Sequence, residues 1–180
     1  MSETLDLREH AVPLERDLFL RRMLRELTGT LEDVVGMEDA AGYVSAVGSA
    51  MGQWIDAQYR EALDVDRLDV QQIASVFVDL KGRIGGDFFI ESIDADRIVV
   101  GNRNCPFGDM AHDRLSMCMM TSNVFGRIAA DNLGYARVEL LDTIAQRAPQ
   151  CRIVVHLRPR DEVLPDEREY YGKPPPAAAE

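Results

Sequence analysis

The stretch Gly85-Gly86-Asp87-Phe88-Phe89-Ile90-Glu91-Ser92-Ile93-Asp94-Ala95-Asp96-Arg97-Ile98-Val99-Val100 decides the fold. Upstream of it, apolar residues recur every three to four positions; inside it the period drops to two. Phe88, Ile90 and Ile93 alternate loosely with polar residues, Asp94-Ala95-Asp96 makes a turn, and Ile98-Val99-Val100 answers as the return strand. This is a β-hairpin signal. Helices before the double glycine and pairing strands after it place the chain in the α+β class.

Working back from the hairpin, Asp69 is a good N-cap for a helix lined by Ile73, Val76, Phe77, Leu80 and Ile84. A longer helix is expected over residues 38–63, where Ala40, Val44, Val47, Met51, Trp54 or Ile55, and Tyr59 recur at helical spacing. Its other residues are small, with Gly48-x-x-x-Gly52 among them. Each interior glycine costs about 0.8–1 kcal/mol against alanine, so their density marks a close approach. The approaching body is a helix of the same chain, a second subunit or a ligand. A first helix starts near Glu15, carries the stripe Leu20, Met23, Leu24, Leu27 and Leu31, and stops at Gly36. Residues 1–13 read as a flexible arm.

Working forward, residues 101–114 form a long loop of the kind that often carries function. A fourth helix covers residues 115–132, with Leu115, Cys118, Met119, Ser122, Phe125, Ile128 and Ala129 on its buried side. Strands follow at 136–145 and 151–157. The acidic, proline-rich end, 159–180, reads as a disordered tail. The expected architecture is three N-terminal helices and then ββαββ. That makes one domain over residues 14–158, a four-stranded antiparallel sheet with helices packed on one face.

Composition narrows the function. The 180 residues carry a formal net charge of −11, which opposes binding to nucleic acid or to an anionic membrane surface. No apolar run has the length of a membrane span, and the start lacks the features of a signal peptide. A cytoplasmic location is expected, where structural disulfides are unusual; the three cysteines, an odd number, fit that setting.

Those cysteines, Cys105, Cys118 and Cys151, come from a loop, a helix and the head of a strand. Gathered, they supply three thiolates for zinc, with His112, Asp109 or Glu139 as the fourth ligand. A second chemistry makes Cys105 or Cys118 a nucleophile activated by His112, with Asp109 or Asp113 orienting the imidazole. A third reading treats them as small buried hydrophobes. Phe107, Met119 and Phe125 cluster nearby, and with Trp54, Phe77 and Phe88 they either wall a hydrophobic ligand pocket between the fourth helix and the sheet or fill the core. The glycine segments do not follow a strand–loop–helix phosphate pattern, so P-loop and Rossmann nucleotide sites are rejected.

Two stretches resemble a known family: Asn104-Cys105-Pro106-Phe107-Gly108-Asp109 running on through Leu115 to Tyr135, and Ala136-Arg137-Val138-Glu139 continuing to Thr143 and Cys151. With the helical run from Glu15 they look like the methanogen output domain of prokaryotic signalling proteins, over residues 15–158. The second stretch also resembles the wider 4-vinyl reductase superfamily. The resemblance implies binding of small hydrophobic molecules, and in some phenol-sensing members a structural zinc. Glu139 and Cys151 match that superfamily's Glu and final Cys, Cys118 matches an earlier helix cysteine, and Thr143 stands where a middle Cys is usual. The expected function is a non-enzymatic signalling module that binds a small hydrophobic ligand, a cysteine-held metal, or both. It would relay the change to other signalling proteins, as a homodimer through its N-terminal helices. The rival is a cysteine-centred small-molecule hydrolase or reductase.

Overall fold

The computed structural model describes residues 11–160 and 167–173. Helices α1 (Arg16–Val35), α2 (Met37–Leu63) and α3 (Val70–Arg83) come first. The hairpin β1 (Phe88–Ile93) and β2 (Arg97–Asn102) follows, then α4 (Leu115–Leu133), β3 (Tyr135–Asp142), β4 (Cys151–His156) and β5 (Arg168–Tyr171). The sheet is antiparallel throughout, in the order β1-β2-β4-β3-β5. Among the described residues no helix is long and apolar enough to cross a membrane.

The α+β class and the order of the first eight elements match the sequence reading. The strand count does not. Residues 168–171 lie in the stretch expected to be a disordered tail, yet they pair with β3 from Tyr135↔Tyr171 to Val138↔Arg168. Tyr170 explains the docking. Its ring lies against Gly126 of α4, where an added Cβ would sit 2.1 Å from it. Its hydroxyl meets Ser122 Oγ at 3.1 Å and donates to Asn123 Oδ1 at 3.1 Å. Four residues between charged and proline-rich neighbours are too few for a period to show. The rest of the expected tail, at 161–166 and 174–180, and the arm up to residue 10 lie outside the described residues.

Local chemistry sets the helix ends. Asp69 accepts from the Gln72 amide while the Gln72 side chain accepts from the Asp69 amide, a complete capping box. Gly134 closes α4 at φ 90°, a left-handed conformation that favours glycine. The small residues of α2 face α4. A Cβ on Gly48 would fall 2.5 Å from Asn123 Cβ, and one on Gly52 would fall 2.8 Å from Arg127 Cβ. The close approach is therefore made by a helix of the same chain, not by a second subunit.

On the helix-facing side of the sheet, Ile98, Val100, Val138, Ile153 and Val155 join Phe77, Phe125 and Ile128 in one core. Phe77 stacks on Phe125 with centroids 4.0 Å apart, and Phe88 meets Phe125 edge-on at 5.9 Å. These aromatic pairs fix α3 and α4 over the hairpin.

Candidate functional site

Two hollows meet at Phe107 and Thr121, which line both. The smaller is a cavity of about 30 Å³ lined by all three cysteines, close to one water's share of liquid volume. Cys151 arrives because β4 pairs Asn102↔Cys151 with β2. Its sulfur accepts from Asn102 Nδ2 at 3.8 Å and from the Ile144 amide at 3.3 Å. Cys118 comes from the first turn of α4, and Cys105 from the loop after β2.

Burial decides the state of two of these thiols. It pushes Cys118 up to about 12, and the neighbouring Cys151 and Cys105 add to the shift. It also raises Cys105, against the lowering effect of hydrogen bonds from the Phe107 and Gly108 amides. Both are protonated at neutral pH, which is the wrong state for a nucleophile. His112 is not in the cavity lining. Its ring faces the exposed Asp109 at 3.8 Å, and its carbonyl accepts from Arg25 at 2.9 Å. The orienting chain expected for a cysteine enzyme is therefore not assembled around the thiols. Among the described residues, the set of three whose ligand atoms all lie within 4.8 Å of one another is Glu139, His156 and Glu167, on the far side of the sheet. Two guanidiniums already occupy it: Arg160 reaches His156 at 2.8 Å, and Arg137 reaches Glu167 at 3.3 Å. Glu139 thus turns toward His156, at 3.0 Å, as a partner for the imidazole.

The larger hollow is an apolar groove of about 470 Å³ between α2, the end of α3 and α4. Its walls are Met51, Trp54, Ile55, Leu80, Met120 and Val124, with Phe107 toward the cysteine cavity. Its size lies in the range of about 300–1,000 Å³ usual for small-molecule sites. Lys81 lines it and is only 4% exposed. Its ammonium donates to Thr121 Oγ1 at 2.8 Å and lies 5.4 Å from the ring centroids of Phe88 and Phe125. Burial pulls it down to about 8, an effect partly offset by the three thiols beside it.

Of the six side chains expected to wall a pocket, Trp54 and Phe107 line the groove, and Phe88 lines the cysteine cavity. Phe77 and Phe125 are fully buried core residues. Met119 lies elsewhere, its sulfur 3.9 Å from Arg168. Sequence reading missed Lys81. The signal was its position: four residues after Phe77 and seven after Ala74, both of which are fully buried on the apolar face of α3.

The model of methanogen output domain 1 matches residues 23–156, the span from α1 to the end of β4. The chain belongs to that family. The resemblance read from the loop cysteine and the β3–β4 region is thereby confirmed, and the family's description names it an output domain. The sequence matches none of the curated proteins. Among solved structures, the phenol-responsive sensory domain of the transcription activator PoxR with phenol is similar, at a TM-score of 0.61 and 16% identity. The match covers 81% of this chain and 76% of that one. A trafficking protein particle complex subunit 3 from Naegleria fowleri, covalently bound to palmitic acid, is similar at a TM-score of 0.56 and 14% identity. It covers 79% of this chain and 95% of that one. At such identities these likenesses speak for the fold.

Proposed function

We propose that this output domain is a non-enzymatic signalling module that binds a small hydrophobic molecule in the α2–α3–α4 groove and passes the change to a partner through α1 and α2. The observation that carries this reading is the groove itself, of about 470 Å³ with apolar walls and a buried cation. Two proteins of the same fold hold apolar molecules, phenol in one and palmitic acid in the other. Helix α2 links input to output. It lends Met51, Trp54 and Ile55 to the groove while its Tyr43 and Val47 stay exposed, as do Phe19, Met23, Leu27 and Val34 of α1. A second copy of the chain is the partner that covers this face, and other signalling proteins are the alternative. Trp54 is the only tryptophan and lines the groove, so its fluorescence reports occupancy. Titration with phenol, indole and decanol should give a saturable change with at least one of them. A response that stays linear for every compound would remove the ligand reading.

A cysteine-held metal is the second reading. It rests on Cys105, Cys118 and Cys151 lining a single cavity.

A further inference from the structure

We infer that the groove takes amphipathic carboxylates, the head pairing with the Lys81 ammonium and the hydrocarbon body lying along Met51, Ile55, Leu80 and Val124. This rests on the reading of the groove as a ligand site and specifies its ligand. A buried charge is costly unless paired, and Lys81 is nearly free of solvent. An ammonium has three donors. Thr121 takes one, and two aromatic faces supply weaker attraction. The charged neighbours that act on Lys81 include no carboxylate; they are the three cysteines, of which Cys105 and Cys118 are held neutral. Of the other polar side chains that line the groove, Arg83 and the Tyr59 hydroxyl both bind Asp79, and Gln58 is a neutral amide. The site therefore offers one uncompensated cation at an apolar wall. An anion with a single small head and an apolar body satisfies both features. A cationic ligand would be repelled, an alcohol could accept one hydrogen bond but would bring no compensating charge, and a dianionic phosphate would find one cation where it needs more.

The test compares decanoate with decanol, followed by Trp54 fluorescence, on the wild-type chain and on Lys81→Met. Wild type should prefer decanoate by about tenfold or more near neutral pH. Lys81→Met should lose that preference and still bind decanol. A pH series on the wild type needs no variant and covers the case in which Lys81→Met fails to fold. The preference should decline as pH rises through about 8, where half of the free ammonium has lost its proton. The remaining titratable groups facing the site are Cys105, Cys118 and Cys151 beside the ammonium, and Tyr59, Arg83 and Asp79 at the rim. Of these, Cys118 and Tyr59 are pushed to about 12. Equal affinity for the two probes, or a preference unchanged in Lys81→Met, would overturn the carboxylate assignment and leave the groove as a ligand site. Saturable binding of neither would overturn both.

Discussion

Lys81 Nζ donates to Thr121 Oγ1 across 2.8 Å, tying the last turn of α3 to α4 at the junction of the cysteine cavity and the apolar groove. An ammonium in that position burdens the empty domain, and the burden depends on pH. Folding lowers Lys81 from 10.5 to about 8. Between those values the unfolded chain binds more protons than the folded one, so stability rises with pH across that window. Below about 8 the full penalty stands, roughly 3 kcal/mol at about 1.4 kcal/mol per pKa unit. Lys81→Met should melt above wild type near neutral pH, and the gap should narrow as pH approaches 10.5. Thermal melts of both proteins across that range check this; a gap independent of pH would contradict it.

Gly48 lies against Asn123 with no room for a methyl group. Gly48→Ala should cost about 1–3 kcal/mol by overpacking, a fall of several degrees in Tm at about 2–4 °C per kcal/mol. The loss is expected at any protein concentration, because the contact lies within one chain. Light scattering tests assembly separately. If a second copy covers the apolar face, Leu27→Glu should halve the mass while Gly48→Ala leaves it unchanged, since Leu27 is 59% exposed and Gly48 is buried.

Tyr170 anchors β5 through Gly126, Ser122 and Asn123. Tyr170→Ala should destabilise by about 3–5 kcal/mol, the usual cost of emptying a large aromatic site. Urea unfolding measures it. A change near zero would mean that β5 contributes nothing to the fold.

Cys118 is held protonated by burial. Iodoacetamide near pH 8 should therefore alkylate it at least about a hundredfold more slowly in the folded protein than in urea, because the thiolate is the reacting species. Peptide mapping reads the site. Elemental analysis of protein purified without chelator addresses the metal reading. Near-stoichiometric zinc that disappears in Cys151→Ala would support it, and substoichiometric metal in both proteins would remove it.

Much of this was legible from local signals. The Asp69 cap, the Gly36 and Gly134 stops and the change of period at Gly85-Gly86 each involve residues close in sequence, and the observed elements begin and end within a few residues of them. The nearness of Cys118 and Cys151 was also readable, since one faces inward from a helix and the other starts a strand; that Cys105 lines the same cavity depends on the path of the loop after β2. What escaped depends on partners far along the chain. Arg168-Glu169-Tyr170-Tyr171 becomes a strand because Gly126 leaves space for an aromatic ring. Lys81 follows Ala74 and Phe77 on the apolar face of α3, and the packing of Phe88 and Phe125 near its ammonium shows that it is buried. Phe77 and Phe125 looked like pocket walls because composition cannot separate a wall from a core; their mutual stacking does.

The central claim is that the groove between α2, α3 and α4 holds an apolar ligand, and methyl NMR of the methionines tests it most directly. Met51 and Met120 line the groove, Met117 lines the cysteine cavity, and Met23 lies on the exposed face of α1. Titration with decanoate should shift the Met51 and Met120 methyl signals saturably and leave Met23 in place. Movement of Met117 or Met23 without Met51 and Met120, or no saturable movement at all, would contradict the account.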